Sequence, residues 1–249
     1  DPEMEHFIYN TWHCSSYERR LCDKGRAFFT PMLFRNLGWY YREHLTVNVA
    51  MISVSPMDRH GYFNLSCALG VGKAIIDKAD TVILEVNEAL PRIRGGEDEC
   101  VHISEVDCVV EAGCRPLWEM SSPEPSPEDA MIAEHIFPHI VDGATVQLGI
   151  GATPTALGKL IAESELKDLG MHTELCSDGY LSMFKAGKLT NRSKSLHRGR
   201  GVLGLAIGSQ ELYRWLDDNP GIAGYPLSYV NDPAIISRME NFVYIVKCR

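Results

Sequence analysis

The chain has 249 residues, enough for one large hydrophobic core or two modest ones. With 45% hydrophobic and 23% charged residues it has the make-up of an ordinary globular protein, and no stretch approaches the roughly 18 uninterrupted apolar residues of a membrane span. A formal net charge of −9 argues against nucleic acid as a partner, yet a few local cations or backbone N–H groups can still hold a phosphate. Eight cysteines without a CxxC pair or a dense framework point to a reducing, cytoplasmic compartment. Asp1 is not an initiator methionine, and residues 1–5 read as neither signal nor transit peptide, so segments are expected to be missing.

Residues 1–44 are rich in aromatics and arginine and show no periodicity that assigns an element. Residues 45–54 (LTVNVAMISV) form a β-branched run that predicts a buried strand. It ends in the breaker-rich loop Ser55-Pro56-Met57-Asp58-Arg59-His60-Gly61. A helix follows over 69–78, then strands over 81–86 and 108–111. Residues 115–125 (RPLWEMSSPEP) carry little periodicity and read as a linker or domain crossing. Ser126 as N-cap, Pro127 at the first helical position and acids in the first turn start a helix that runs to about 141. Strands are predicted over 144–148, 172–176, 202–207 and 242–247, with helices over 154–162, 180–186, 210–216 and 233–239. This alternation predicts an α/β fold. The expected architecture is two open, mostly parallel-sheet domains with flanking helices, spanning 1–118 and 119–249.

Five segments could carry chemistry. In Gln147-Leu148-Gly149-Ile150-Gly151-Ala152-Thr153-Pro154 a strand runs into glycines and then a helix, a junction that aims backbone N–H groups at an anion or a developing oxyanion. An ordinary tight turn explains the glycines Gly149 and Gly151 equally well, and neither a dinucleotide fingerprint nor a phosphate-loop signature is present. In His172-Thr173-Glu174-Leu175-Cys176-Ser177-Asp178-Gly179 a glutamate stands just before the C-terminal end of a strand, where parallel α/β sheets bind ligands. Glutamate is a poor strand former, so Glu174 is either catalytic or an edge carboxylate facing water. Ser55 and Pro56, with Asn87, sit at strand ends as candidate binding residues, although turn formation and capping account for them too. Asn231, in the proline-bounded segment Tyr225-Pro226 to Asp232-Pro233, is a further candidate. No metal site is expected: His135 and His139 have i, i+4 spacing, but Pro138 lies between them and no other ligands are grouped nearby. Cys176 has no paired histidine and reads as a small buried hydrophobe.

Taken in order, VSPMDRHGYF (54–63), EVNEALPR (85–92), QLGIGATPTAL (147–157), HTELCSDG (172–179), GSQELYRWLDDNP (208–220) and YPLSYVNDP (225–233) resemble the acetyl-CoA hydrolase/transferase group of family I CoA-transferases. The likeness is greatest to 4-hydroxybutyrate and butyryl-CoA:acetate CoA-transferases. It implies that Glu174 is the nucleophile that carries CoA as a thioester, and that the Ile150 N–H helps form an oxyanion hole. It also implies acyl-CoA and a carboxylate such as acetate as substrates, no cofactor beyond the CoA thioester itself, and a homodimer. Members of the family are longer and carry a glycine-rich CoA-binding segment after the equivalent of Arg249, so the chain is expected to be incomplete at both ends. Two other functions stay open: an acyl-CoA hydrolase on the same fold, and a non-catalytic acyl-CoA-binding subunit.

Overall fold

The computed structural model describes residues 6–120 and 124–245. Its strands are β1 (Tyr9–Thr11), β2 (Ala27–Phe29), β3 (Val47–Val54), β4 (Tyr62–Asn64), β5 (Ala79–Val86), β6 (Cys100–His102), β7 (Cys108–Glu111), β8 (Thr145–Leu148), β9 (Gly170–Cys176), β10 (Gly201–Ala206), β11 (Ile222–Gly224) and β12 (Phe242–Ile245). The helices are α1 (Ser16–Asp23), α2 (Leu37–His44), α3 (Leu69–Lys78), α4 (Pro127–Ile136), α5 (Ala152–Glu163), α6 (Asp178–Lys185), α7 (Gln210–Leu216), α8 (Leu227–Val230) and α9 (Pro233–Ile236).

Two parallel sheets dominate. The first has the order β3-β5-β7 and the second β11-β10-β9-β8-β12. β1 and β2 pair in parallel, and β4 with β6 forms the one antiparallel ribbon among the described residues. The expected mostly parallel α/β fold is what the chain adopts. A single continuous core runs through both sheets, from Val54, Val82 and Leu84 to Val146, Met171 and Leu203. α3 joins them. Leu69, fully buried, lies so close to Gly224 of β11 that a Cβ there would meet it at 2.4 Å, so the contact needs glycine.

β3 is not the buried strand its composition suggests. Ala50 and Val54 face the core, while Val49 and Met51 on the opposite face are 48% and 77% exposed. On the same face of the sheet Val110 of β7, in register with Ser53 through Glu85, is also 48% exposed. An apolar run on both faces signals a doubly covered strand, but among the described residues only one face is covered.

Helix ends follow local chemistry. α4 stops at Ile136 rather than near 141, because Pro138 lacks an N–H and the chain tightens into a 3₁₀ turn over Phe137–His139. α5 starts two residues earlier than expected, at Ala152, with Gly151 as its N-cap. α9 ends at Ile236, short of the expected 239, and the expected strand residue Lys247 lies outside the described residues. Structure in the first 44 residues was not foreseen. α1 buries no residue and has only eight, too few for a period to show, although Ser15 and Glu18 form a capping box at its start.

Candidate active site

The second sheet runs β8, β9, β10, β11 in one direction and then returns to place β12 on the other side of β8. In such sheets the crevice at the C-terminal edge of the strands, where the order reverses, is the natural ligand site. Both leading sequence candidates come to this edge: Gly149, Ile150 and Gly151 directly follow β8, and Glu174 is the third residue from the end of β9.

The turn after β8 gathers backbone donors. Gly149 is spent on the sheet, donating its N–H to Ile245 at 2.8 Å. Gly151 has φ 133° and ψ −179°, a conformation only glycine adopts without strain. The chain thereby turns straight into α5. Among the described residues, the N–H groups of Ile150, Gly151, Ala152 and Thr153 have no acceptor, so four donors and the positive end of α5 collect at one point. The depression in front of them is lined by Met120, Ile150, Ser177 and Asp178 and holds only about 10 Å³, the room of a single water.

Glu174 is half-buried and accepts a hydrogen bond from Asn231 Nδ2 to Oε2 at 2.5 Å. The other amide atom, Asn231 Oδ1, is buried and has no partner among the described residues. Asn231 is fixed by its neighbours. His172, two residues before Glu174 on the same strand face, is fully buried and hydrogen-bonds through Nε2 to the Val230 carbonyl at 2.8 Å. Burial pulls the His172 pKa down to about 4, the Val230 bond opposing it, so the ring is neutral and Nε2–H is the donor. His197 Nε2 meets the Tyr229 hydroxyl at 2.6 Å. Burial, then the charges of Lys194 and Arg200, lower the His197 pKa as well. Three consecutive residues, Tyr229, Val230 and Asn231, are thus each gripped by a different titratable side chain. On the other flank Tyr244 of β12 has its phenol pushed up by burial and then by the Glu174 charge, which places it within the field of the carboxylate.

The first-sheet candidates gather separately. The Asn87 N–H donates to Val54 at 3.0 Å, which brings Ser55, Pro56 and Asn87 to one edge. The Asn87 side chain is occupied: Oδ1 accepts from the Ala89 and Arg115 N–H groups, and Nδ2 donates to the Arg115 carbonyl. The Pro56 carbonyl accepts from Arg92 at 3.2 Å, while Ser55 Oγ is buried with no partner among the described residues. No hydrogen bond or ion pair joins these three to Glu174 among the described residues. The link is the segment after Asn87, where Met120 N–H donates to the Gly208 carbonyl and the Tyr213 hydroxyl to the Trp118 carbonyl, closing one wall of the glycine-turn depression.

The rejection of Cys176 as a nucleophile agrees with its surroundings. Cys176 is fully buried and burial pushes its thiol well up, the opposite of an activated nucleophile. Among the described residues no group of three or more metal-ligating side chains comes together, His135 and His139 included. A wider cleft of about 720 Å³ lies at the opposite, N-terminal edge of the second sheet, lined by Arg59, Arg92, Arg94 and Arg200. Asp58 and Asp218 pair with two of those arginines.

The acetyl-CoA hydrolase/transferase N-terminal domain model matches residues 5–116, and the corresponding C-terminal domain model matches 208–249. The chain belongs to the acetyl-CoA hydrolase/transferase family. Among its relatives, the butyryl-CoA:acetate CoA-transferase of Anaerostipes caccae is 41% identical over 98% of this chain and 55% of that protein. The 4-hydroxybutyrate coenzyme A transferase of Clostridium kluyveri is 37% identical over 98% of this chain and 56% of that protein. The crystal structure of RipA from Yersinia pestis superposes with a TM-score of 0.89 at 36% identity, over 95% of this chain and 56% of that one. The chain therefore spans little more than half the length of these relatives.

Sequence reasoning missed His172, His197 and Tyr244. His172 was legible, because residue i−2 of a strand shares a face with a candidate at i. His197 was not, since its partner Tyr229 lies 32 residues away.

Proposed function

We propose that the protein is an acyl-CoA:carboxylate CoA-transferase that moves CoA between a short-chain acyl-CoA of the butyryl or 4-hydroxybutyryl type and acetate, with Glu174 as the covalent carrier. The observation that carries this reading is Glu174, held by Asn231 on the same sheet edge as a turn whose four N–H groups find no acceptor among the described residues. A Glu174 oxygen attacks the thioester carbonyl carbon; the C–S bond breaks, CoA leaves as thiolate and an acyl-glutamyl anhydride remains. The thiolate then attacks the glutamyl carbonyl carbon, expelling the first carboxylate and leaving a glutamyl–CoA thioester. Acetate repeats the sequence in reverse. Each addition places negative charge on a carbonyl oxygen, and on this reading the Ile150 N–H receives it. Asn231 hydrogen-bonds the carboxylate and selects its attacking geometry. Gly149, Gly151, Ser55, Pro56 and Asn87 belong on this reading to the walls that bind acyl-CoA. Residues 1–118 and 119–249 act as two domains, and the complete protein is a cytoplasmic homodimer needing no cofactor.

Initial rates of the full-length protein over acyl-CoA and acetate test the covalent step. Parallel double-reciprocal lines are expected, because the first acid leaves before the second binds. Intersecting lines refute it. CoA release that needs no acceptor acid favours the hydrolase reading instead.

A further inference from the structure

The second sheet is split at its centre, and one side chain occupies the gap. β9 stays paired with β10 as far as Cys176↔Ala206, and β8 stays paired with β12 as far as Leu148↔Ile245. Between β8 and β9, however, the register stops at Val146↔Met171. An unbroken parallel ladder would continue with the His172 N–H donating to the Val146 carbonyl and the Leu148 N–H donating to the His172 carbonyl. Both β8 groups are taken by the Tyr180 hydroxyl. It accepts from the Leu148 N–H at 2.7 Å and donates to the Val146 carbonyl at 3.3 Å. Tyr180 comes from the first turn of α6, is fully buried, and reaches the gap beside Thr173. Carried onward, the interrupted register would have set Gly149 beside Glu174 as ladder partners.

Resting on the transferase reading above, we propose that Tyr180 is a positioning residue. Its hydroxyl replaces one rung of the β8–β9 ladder and so holds the oxyanion turn at 149–151 apart from Glu174, leaving the reacting carbonyl a slot between them. Three features support this. The break falls only between the two strands that carry the candidate catalytic groups, while both outer pairings persist. It falls immediately before those groups. The hydroxyl supplies both a donor and an acceptor, so the opened strand edge of β8 loses no hydrogen bond. A phenylalanine would fill the same space but leave the Leu148 N–H and the Val146 carbonyl to seek the β9 backbone and draw the strands together. Ordinary core packing would call for the ring and not for the hydroxyl.

The test compares full-length wild type with Tyr180→Phe, and with Ile76→Ala as a core truncation in α3, away from the edge. For each, kcat and KM for acyl-CoA in acetate-dependent transfer are measured beside Tm. Tyr180→Phe should lower kcat at least tenfold with KM within threefold. Ile76→Ala should lower Tm at least as much and leave kcat within threefold. Should Tyr180→Phe fail to fold, 3-fluorotyrosine placed at 180 keeps the ring and weakens the hydroxyl as an acceptor. It should then lower kcat at least threefold with KM unchanged. An active wild type matched within twofold in kcat by Tyr180→Phe, or by the fluorotyrosine protein, overturns the positioning role alone. A wild type that transfers no CoA overturns the functional reading itself.

Discussion

Shortening the carrier by one methylene, Glu174→Asp, is the most telling perturbation because the strand cannot move to compensate. Thr173 and Leu175 are both in register with β10, at Leu203 and Leu205, so the backbone around Glu174 stays where it is. The carboxylate retreats by about 1.5 Å, the length of a C–C bond. Its 2.5 Å contact with Asn231 Nδ2 then opens to roughly 4 Å, past hydrogen-bonding range. A hydrogen bond to a charged group contributes about 1.5–3 kcal/mol, on the order of a ten- to hundredfold effect. Misplacing the attacking atom by ~1 Å costs on the order of another hundredfold. Transfer by Glu174→Asp should therefore fall by ~10³ or more. The retracted carboxylate can still act as a general base on a water in the space it leaves, so acyl-CoA cleavage should fall much less. Glu174→Ala should lose both. The assay is acetate-dependent CoA transfer beside acetate-independent CoA release, for wild type and both variants of the full-length protein. Near-normal transfer by Glu174→Ala would show that Glu174 carries nothing.

Two further outcomes follow from the same edge. His172 is held neutral down to about pH 4, whereas in the unfolded chain it takes up a proton near 6.5. Stability is therefore fully present above pH 6.5 and is lost as pH falls towards 4, by roughly 3 kcal/mol in all. Urea midpoints at pH 7, 6 and 5 should fall steadily for wild type and less steeply for His172→Gln; equal slopes would remove His172 as the cause. Gly151→Ala forces a side chain onto φ 133°, a strain of about 1–3 kcal/mol, and should lower Tm by several degrees. It should also misdirect the Ile150 N–H and cut transfer, and an unchanged Tm by calorimetry would refute the strain argument.

How much of this was legible depended on the length of each pattern. α3 and α7 fall on their expected bounds, and α3 buries Leu69, Gly70, Gly72, Ala74 and Ile76. β4, β6, β11 and α8 have only three or four residues each, too few for a period to show. The exposed face of β3 was misread because sequence reports which residues are apolar and not whether anything covers them. At the site, Glu174 and the 149–151 turn stood out since each breaks a local rule, a glutamate inside a strand and glycines at a strand end. Tyr180 broke none. A tyrosine in a short helix reads as core, and its interruption of the ladder exists only once β8 and β9 lie side by side. Lys194 gave no signal either, yet it is buried and donates to the Met171 and Arg200 carbonyls.

The grip on Tyr229, Val230 and Asn231 has a consequence for how this protein can vary. Each α-helical residue turns the chain by about 100°. Losing or gaining one residue between Tyr225 and Asn231 would swing the Asn231 amide away from Glu174 and bring a neighbour under it. His197 and His172 would lose their partners in the same event. Point changes at each position act separately, but length changes act on all three at once. Within the connection between β11 and β12, the stretch from Tyr225 to Asn231, whose α8 buries Leu227 and Val230, is therefore as constrained in length as a core strand.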